Sequence, residues 1–246
     1  MVETKALIKT PLEGGEELSR APSESREREL LPPAPRTPPV LVPIRSLGAN
    51  HRERIARHLI ALEPRDRYLR FGFAANDEQI QRYADSLNFD RDEIFGIYNR
   101  RLELIAMAHL AFSADTDLAA CAEFGVSVLK SARGRGYGAR LFDRAAMHAR
   151  NEGVNRMFIH ALSENNTMLK IARNAGAIVE RDGSESEAHL HLPPATLDTR
   201  LSELVAEQVA QTDYRIKVQV KQFWDVLAGV QALRRDVQEA QRITPK

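Results

Sequence analysis

The sequence predicts an α/β fold: one layered domain on a mixed sheet, with an extension at each end. Three observations predict it. Between about residues 39 and 193, short apolar runs alternate with amphipathic stretches in the order β α α β β β α β α β β. An apolar strand ending at Leu129 runs into alternate glycines, Gly134, Gly136 and Gly138, and a helical pattern follows at once. Composition also breaks at both flanks, since eight of the twelve prolines lie at or before Pro43 and Pro193-Pro194 closes the alternating region.

Residues 1–38 mix proline with Glu, Ser and Arg and cannot bury enough apolar surface to offset their ordering entropy, so a disordered tail is expected. Order is expected from an edge strand at Pro39-Val40-Leu41-Val42-Pro43-Ile44. Asn50 with Glu53 reads as a helix start whose apolar face holds Ile55, Leu59 and Leu62. Asn76 with Gln79 repeats the signal, with Ile80, Tyr83, Ala84 and Leu87 apolar; Asp66 to Asn76 and the segment around Ala114 to Asp117 read as loops.

Strands follow at Ile94 to Tyr98, Leu102 to Phe112 and about Leu118 to Leu129. The helix after the glycines keeps Leu141, Phe142, Ala145 and Ala149 on one side and stops at Gly153. Met157 to Leu162 is a buried strand. Asn165 and Asn166 open another helix with Met168, Ala172 and Ala175 inward, and a hairpin turns at Asp182-Gly183-Ser184. From 194 to 246 the chain is helical. Ile216, Val220, Phe223, Leu227 and Val230 form a coiled-coil-like seam, and its extension back through Thr212 to Val209, Val205 and Leu201 contains a stutter. One helix of roughly 60 Å or a hairpin broken at Gln211-Thr212-Asp213 would both fit.

Net charge of +1 gives no case for nucleic acid or an anionic membrane as partner. The single cysteine, Cys121, fits a reducing compartment, and no apolar run approaches the ~20 residues of a membrane span, so a cytoplasmic protein is expected. His189 and His191 share a strand face without further ligands, which argues for no metal.

Glycines at 134, 136 and 138 let the backbone turn tightly and approach a ligand. The amides freed at the next helix N-terminus, with Arg133, Arg135 and Arg140 around them, suit a pyrophosphate. A nucleotide-hydrolase phosphate loop needs Gly-Lys-Ser/Thr, and the chain has Gly138-Ala139-Arg140. A dinucleotide fingerprint can be fitted to Gly134, Gly136 and Ala139, but no acid ends the strand that follows. A ligand-free turn would not account for the three arginines.

Arg133-x-x-Gly136-x-Gly138, after Ala122-Glu123-Phe124-Gly125-Val126-Ser127-Val128, resembles the acetyl-CoA loop of the GNAT N-acetyltransferase superfamily. Glu164-Asn165-Asn166-Thr167-Met168, closing at Ala175-Gly176-Ala177, resembles that family's Asn helix, with Ala177 in place of a phenylalanine. The match covers about residues 39–193 and is nearest to bacterial protein-lysine acetyltransferase domains, which Arg65-Asp66-Arg67-Tyr68-Leu69-Arg70-Phe71 also resembles.

The resemblance implies a largely antiparallel GNAT-like sheet and acetyl-CoA as cosubstrate. The cofactor would be bound by Val126, Val128, Arg133, Gly134, Arg135, Gly136, Tyr137, Gly138, Ala139, Asn165 and Met168. It implies direct attack by an amine, from a protein lysine or a small molecule, on the acetyl carbonyl. Glu123 would relay the amine proton or only orient a neighbour, and Gly125 would mark a strand bulge. Ala172 stands where many members carry a tyrosine acid, so the thiolate leaves unassisted or with Ser163 or water. A catalytically silent acyl-CoA sensor is the alternative. His109 and His160 read as core histidines, Cys121 as packing, Phe223 and Trp224 as seam anchors, and the seam itself as a homodimer contact.

Overall fold

The computed structural model describes residues 42–113 and 121–243, with side chains of the last helix as far as residue 222. The tail 1–38, the first residues of the expected edge strand, the 114–117 segment and the seam side chains from Phe223 onward lie outside the described residues.

Seven strands form one sheet in the order β1-β2-β3-β4-β5-β7-β6. They are β1 (Arg45–Ser46), β2 (Glu93–Tyr98), β3 (Leu104–Phe112), β4 (Cys121–Val128), β5 (Arg156–Leu162), β6 (Ile178–Asp182) and β7 (Glu185–His191). All neighbours are antiparallel except β4 and β5. That one parallel pair is short. It joins only Cys121, Ala122 and Glu123 to Arg156, Met157 and Phe158, after which β4 runs on to Val128 and β5 to Leu162 unpaired with each other. On its other edge β4 stays in register with β3 from Ala122 to Val128. The register therefore passes Gly125 unshifted, and the expected bulge is absent; the strands part because their pairing ends at Glu123.

The helices are α1 (Arg52–Ile60), α2 (Pro64–Phe71), α3 (Asp77–Ser86), α4 (Tyr137–Asn151), α5 (Asn166–Asn174) and α6 (Leu197–Ile243). On one sheet face α1 and α3 bury Ile55, Leu59 and Ile80 against Ile94 and Met107. On the other, α4 buries Leu141, Phe142 and Ala145 against Phe95, Leu110 and Phe124, and α5 adds Met168 and Ala172. Phe124 meets Phe142 edge-on at 5.0 Å between centroids. Truncating a buried aromatic of this kind costs about 3–5 kcal/mol.

Several local expectations change. The edge strand is shorter and later: Arg45 and Ser46 pair with β2, while Val42 and Ile44 pack on the core around Pro43, which has no N–H to give a ladder. Asn50 does not cap α1. The extended residue before the helical run is Gly48 (ψ −174°), so Asn50 already sits inside a 3-10 turn over Ala49–His51. Asn76 and Gln79 do form the reciprocal box at α3, at 2.9 Å in both directions. The loop expected from Asp66 is mostly helix: α2 begins with Pro64 at its first position and ends at Gly72 (φ +80°). In α5, Leu169 rather than Ala175 faces inward, because Ala175 is already the C-cap.

The C-terminal segment is one helix, with no break at Gln211–Asp213, where Thr212 Oγ1 donates to the Gln208 carbonyl at 2.9 Å. It docks by a polar side. Glu203 and Glu207 receive Arg144 of α4, Arg54 of α1 donates to the Tyr214 hydroxyl at 2.7 Å, and Ala210 is fully buried. Leu201, Leu204, Val205, Ile216 and Val220 remain exposed. Among the described residues no helix is long and apolar enough to cross a membrane.

Candidate active site

The glycine turn owes its shape to backbone conformation rather than crowding. Gly134 and Gly136 hold φ of +75° and +74°, and a Cβ on either would meet nothing within 4 Å. Gly136 is the N-cap of α4, and the first helical amide to find an acceptor inside the helix is Arg140, 3.1 Å from the Gly136 carbonyl. The N–H groups of Tyr137, Gly138 and Ala139 thus stand free at the positive end of a fifteen-residue helix, an arrangement suited to a diphosphate. A Cβ on Gly138 would lie 3.2 Å from Ile171 Cδ1, so this glycine lets α4 and α5 approach.

From this turn a cleft of about 1110 Å³ runs into the gap between β4 and β5. It collects nearly every residue singled out in the sequence: Glu123, Val126, Val128, Arg133, Gly134, Gly136, Tyr137, Gly138, Ala139, Asn165 and Met168 all line it. Two do not. Arg135 is exposed at the tip of the turn and outside the lining. Ser163 also lies outside it, its hydroxyl turned to the β6–β7 hairpin, 2.8 Å from the Glu185 carbonyl and from Ser186 Oγ. As a proton source for a leaving thiolate it faces the wrong way. Ala172 is fully buried, so nothing at that position reaches the cleft.

Helix α2 fences the cleft. Asp66 pairs with Arg133, Glu63 with Lys130 at 2.8 Å and Arg65 with Glu164 at 3.3 Å, tying the helix to the glycine turn on one side and to the start of α5 on the other. Asn165 caps α5, its side-chain oxygen accepting from the Met168 amide at 3.2 Å.

Glu123 is exposed at the last paired position before the strands part. Two residues on, Gly125 carries the guanidinium of Arg70 against its Cα: a Cβ there would lie 2.7 Å from Cζ and Nη2 and 3.0 Å from Nη1. Arg70 begins a connected chain. Its Nη2 donates to the Tyr83 hydroxyl at 2.9 Å, Tyr83 reaches His109 Nδ1 at 2.8 Å, and His109 Nε2 lies 3.1 Å from Asp92. The carboxylate fixes the proton on Nε2, so Nδ1 accepts from Tyr83. Burial first, then the charge of Arg70, pushes the imidazole of His109 below its ordinary range, which keeps it neutral. His109 is the satisfied histidine expected. His160 is not: it is exposed on β5 and lines the cleft, beside the parallel ring of Phe158.

Further along the same face of β4, His58 donates from Nδ1 to the Leu104 carbonyl and accepts from Ser127, both at 2.8 Å. Burial drives its pKa down to about 4, so it stays neutral and holds the strand on the face that Arg70 also covers. Sequence reasoning missed Arg70, Tyr83 and Asp92 as a unit, because nothing in their spacing places α2, α3 and the turn before β2 around one strand position.

Residues 57–177 match the acetyltransferase (GNAT) family. The matched segment is a GNAT domain. The GNAT domain of S. lividans PAT superposes with a TM-score of 0.53 at 21% identity, over 62% of this chain and 95% of that one. The acetyltransferase of GNAT family from Streptococcus pneumoniae gives 0.49 at 12% identity, over 61% and 98%. Spermidine N-acetyltransferase from Vibrio cholerae, solved in complex with CoA and spermine, gives 0.49 at 14% identity, over 61% and 95%. No curated protein sequence matches the chain. The likeness to S. lividans PAT is one of fold; the candidate site here is read from this chain's own glycine turn, parted strands and Glu123.

Proposed function

We propose that the protein is an N-acetyltransferase that uses acetyl-CoA and passes the acetyl group to an amine by direct attack. The observation that carries this reading is the union of two features in one cleft: free amides of Tyr137, Gly138 and Ala139 at one end, and Glu123 where β4 leaves β5 at the other. The 134–139 turn binds the diphosphate of the cosubstrate. The unpaired edge of β4, including Val126 and Val128, hydrogen-bonds the pantetheine arm, and one of its amides faces the thioester oxygen. Such a donor contributes about 3 kcal/mol when charge develops there.

The acceptor must be a neutral amine to attack, and a free aliphatic amine has pKa ~10.4. Glu123 takes that proton, directly or through water. The amine nitrogen bonds to the acetyl carbon, the C–S bond breaks, and the electron pair leaves on sulfur. A thiol of pKa ~8.5 departs as thiolate with little help and takes its proton from water. The single cysteine of the chain accords with a reducing compartment, and the cytoplasm is the location proposed.

The test is release of CoA thiol from acetyl-CoA across a panel of amines. Amine-dependent release is expected; thiol release that never exceeds hydrolysis in buffer overturns the reading. Burial of Ala172 and the turned-away hydroxyl of Ser163 favour a second reading, a domain that binds acyl-CoA without turnover. Tight CoA binding by calorimetry with no thiol release would select it. We also propose that the exposed apolar stripe of α6 joins two copies of the chain.

A further inference from the structure

Arg70 points to the chemistry of the acceptor. Its guanidinium lies flat on the β4 backbone at Gly125, within the cleft, with Tyr83 and Phe71 beside it. Its partner at the other end of the chain is already neutralised: Arg91 holds Asp92 at 2.8 and 3.3 Å. Among the described residues no carboxylate pairs with Arg70. Glu123 stands two positions away on the same strand face, about 6.6 Å along the strand, and makes no ion pair with it. A partly desolvated guanidinium with four N–H groups to spare is stabilised by an anion.

The cosubstrate does not supply that anion, because its diphosphate belongs at the glycine turn, its 3′-phosphate lies on the nucleotide side of that diphosphate and its thioester is neutral. The rest of the cleft discourages one. Glu180 faces Glu187 and Asp182 faces Glu185 across the β6–β7 hairpin, and all four line the cleft. Arg181 lies among these four acids and Arg133 is paired with Asp66, so Arg70 is the cation of the lining that sits on the strand of Glu123, beside a carboxylate that suits an ammonium.

We infer that the acceptor is a free amino acid, its carboxylate held by the Arg70 fork while its amine faces Glu123. This rests on the acetyltransferase reading above and names its substrate class. A neutral amide or a decarboxylated amine leaves the fork empty, whereas an amino acid fills it with charge-assisted hydrogen bonds.

The experiment compares amino acids with their primary amides at fixed acetyl-CoA, in the full-length protein and in Arg70→Gln and Arg70→Lys. The acids are expected to show roughly 10- to 100-fold higher kcat/KM than the amides. Arg70→Gln erases that preference, Arg70→Lys keeps part of it, and both bind CoA as before. Equal kcat/KM for acid and amide in the unaltered protein, or an equal fall for both in Arg70→Gln, overturns the inference. Calorimetry with N-acetyl amino acids and their amides reads the same contact without turnover: the acids bind more tightly, and Arg70→Gln removes the difference. Binding that does not distinguish acid from amide overturns the inference as well. No thiol release from any amine, with Arg70-dependent binding of N-acetyl amino acids intact, refutes the acetyltransferase reading and leaves the carboxylate site standing.

Discussion

Gly125 and Arg70 share one space: a methyl group on Gly125 would stand 2.7 Å from the Arg70 Cζ. The glycine is there to admit a guanidinium rather than to bend the strand. Gly125→Ala is therefore expected to push Arg70 aside, which a long side chain can accommodate, and to leave Tm within a few degrees. The KM of the acceptor rises several-fold and that of acetyl-CoA stays unchanged. Steady-state kinetics in both substrates decide it; an unchanged acceptor KM would mean that the contact holds nothing in place.

Glu123 is exposed at the point where the sheet opens and makes no ion pair among the described residues, so removing its charge should spare the fold. Glu123→Gln keeps the shape and cannot accept a proton. A fall in kcat on the order of 10²-fold or more is expected, with CoA affinity unchanged. A kcat within twofold of the original would assign Glu123 an orienting role and move the relay to water.

A side chain at Gly136 would meet no atom, and the cost of one is conformational. Holding alanine at φ +74° costs about 1–2 kcal/mol, and relaxing it turns the amides of 137–139 away from a common centre. Gly136→Ala is expected to weaken CoA binding about tenfold by calorimetry. Gly138→Ala makes the contrast: its methyl meets Ile171 Cδ1 at 3.2 Å, so it disturbs the α4–α5 contact first and the affinity less. Equal losses in the two variants would count against the amide cradle.

Much of this was legible in the chain. The order of elements, the glycine turn and the Asn76–Gln79 box are local signals, and each is written within a few residues. Helix α2 reads as a loop in the sequence: Pro64 at its start and Gly72 at its end are the ordinary punctuation of a short helix, but its apolar content is too low for periodicity to reveal it. What could not be read is long-range. Ser163 and His160 lie three residues apart near the end of β5, yet the hairpin takes the hydroxyl of one and leaves the other at the cleft. The chain from Asp92 to Arg70 draws on the residue before β2 and on β3, α3 and α2, and only the packed fold brings these together.

Helix α6 turns its polar side to the domain and its apolar side outward, the reverse of a surface helix that folds alone. Leu201, Val205, Ile216 and Val220 touch nothing that covers them among the described residues. Light scattering is expected to give twice the chain mass for the full protein and one chain mass for Leu201→Glu/Val205→Glu. These positions are exposed, so the domain itself should melt as before. A single chain mass for both proteins would dispose of the dimer.

Arg144 and Glu203 hold that helix down. The guanidinium is 6% exposed, lies 2.5 Å from the carboxylate and stacks over Phe95. Burial alone would raise the Glu203 carboxyl, but hydrogen bonds from His148, Asn151 and Arg144 outweigh it and hold the pKa at about 2. A carboxyl depressed in the folded state contributes stability that is whole above the ordinary value near 4.5 and is lost as pH falls toward 2. His58, pushed down to about 4 by burial, also sheds stability on acidification, but earlier, between about 6.5 and 4. The two are separable by difference. Glu203→Gln leaves Arg144 only the longer contact to Glu207, at 3.4 Å, and is expected to cost on the order of 2 kcal/mol at pH 7. The gap between the two proteins should stay constant from pH 7 to about 4.5 and close below it, while the loss from His58 appears equally in both. Thermal melts from pH 7 to 2, with hydrogen exchange across 197–215, measure it. A gap already closing between pH 6.5 and 4.5 would show that Glu203 is not the group that pins α6.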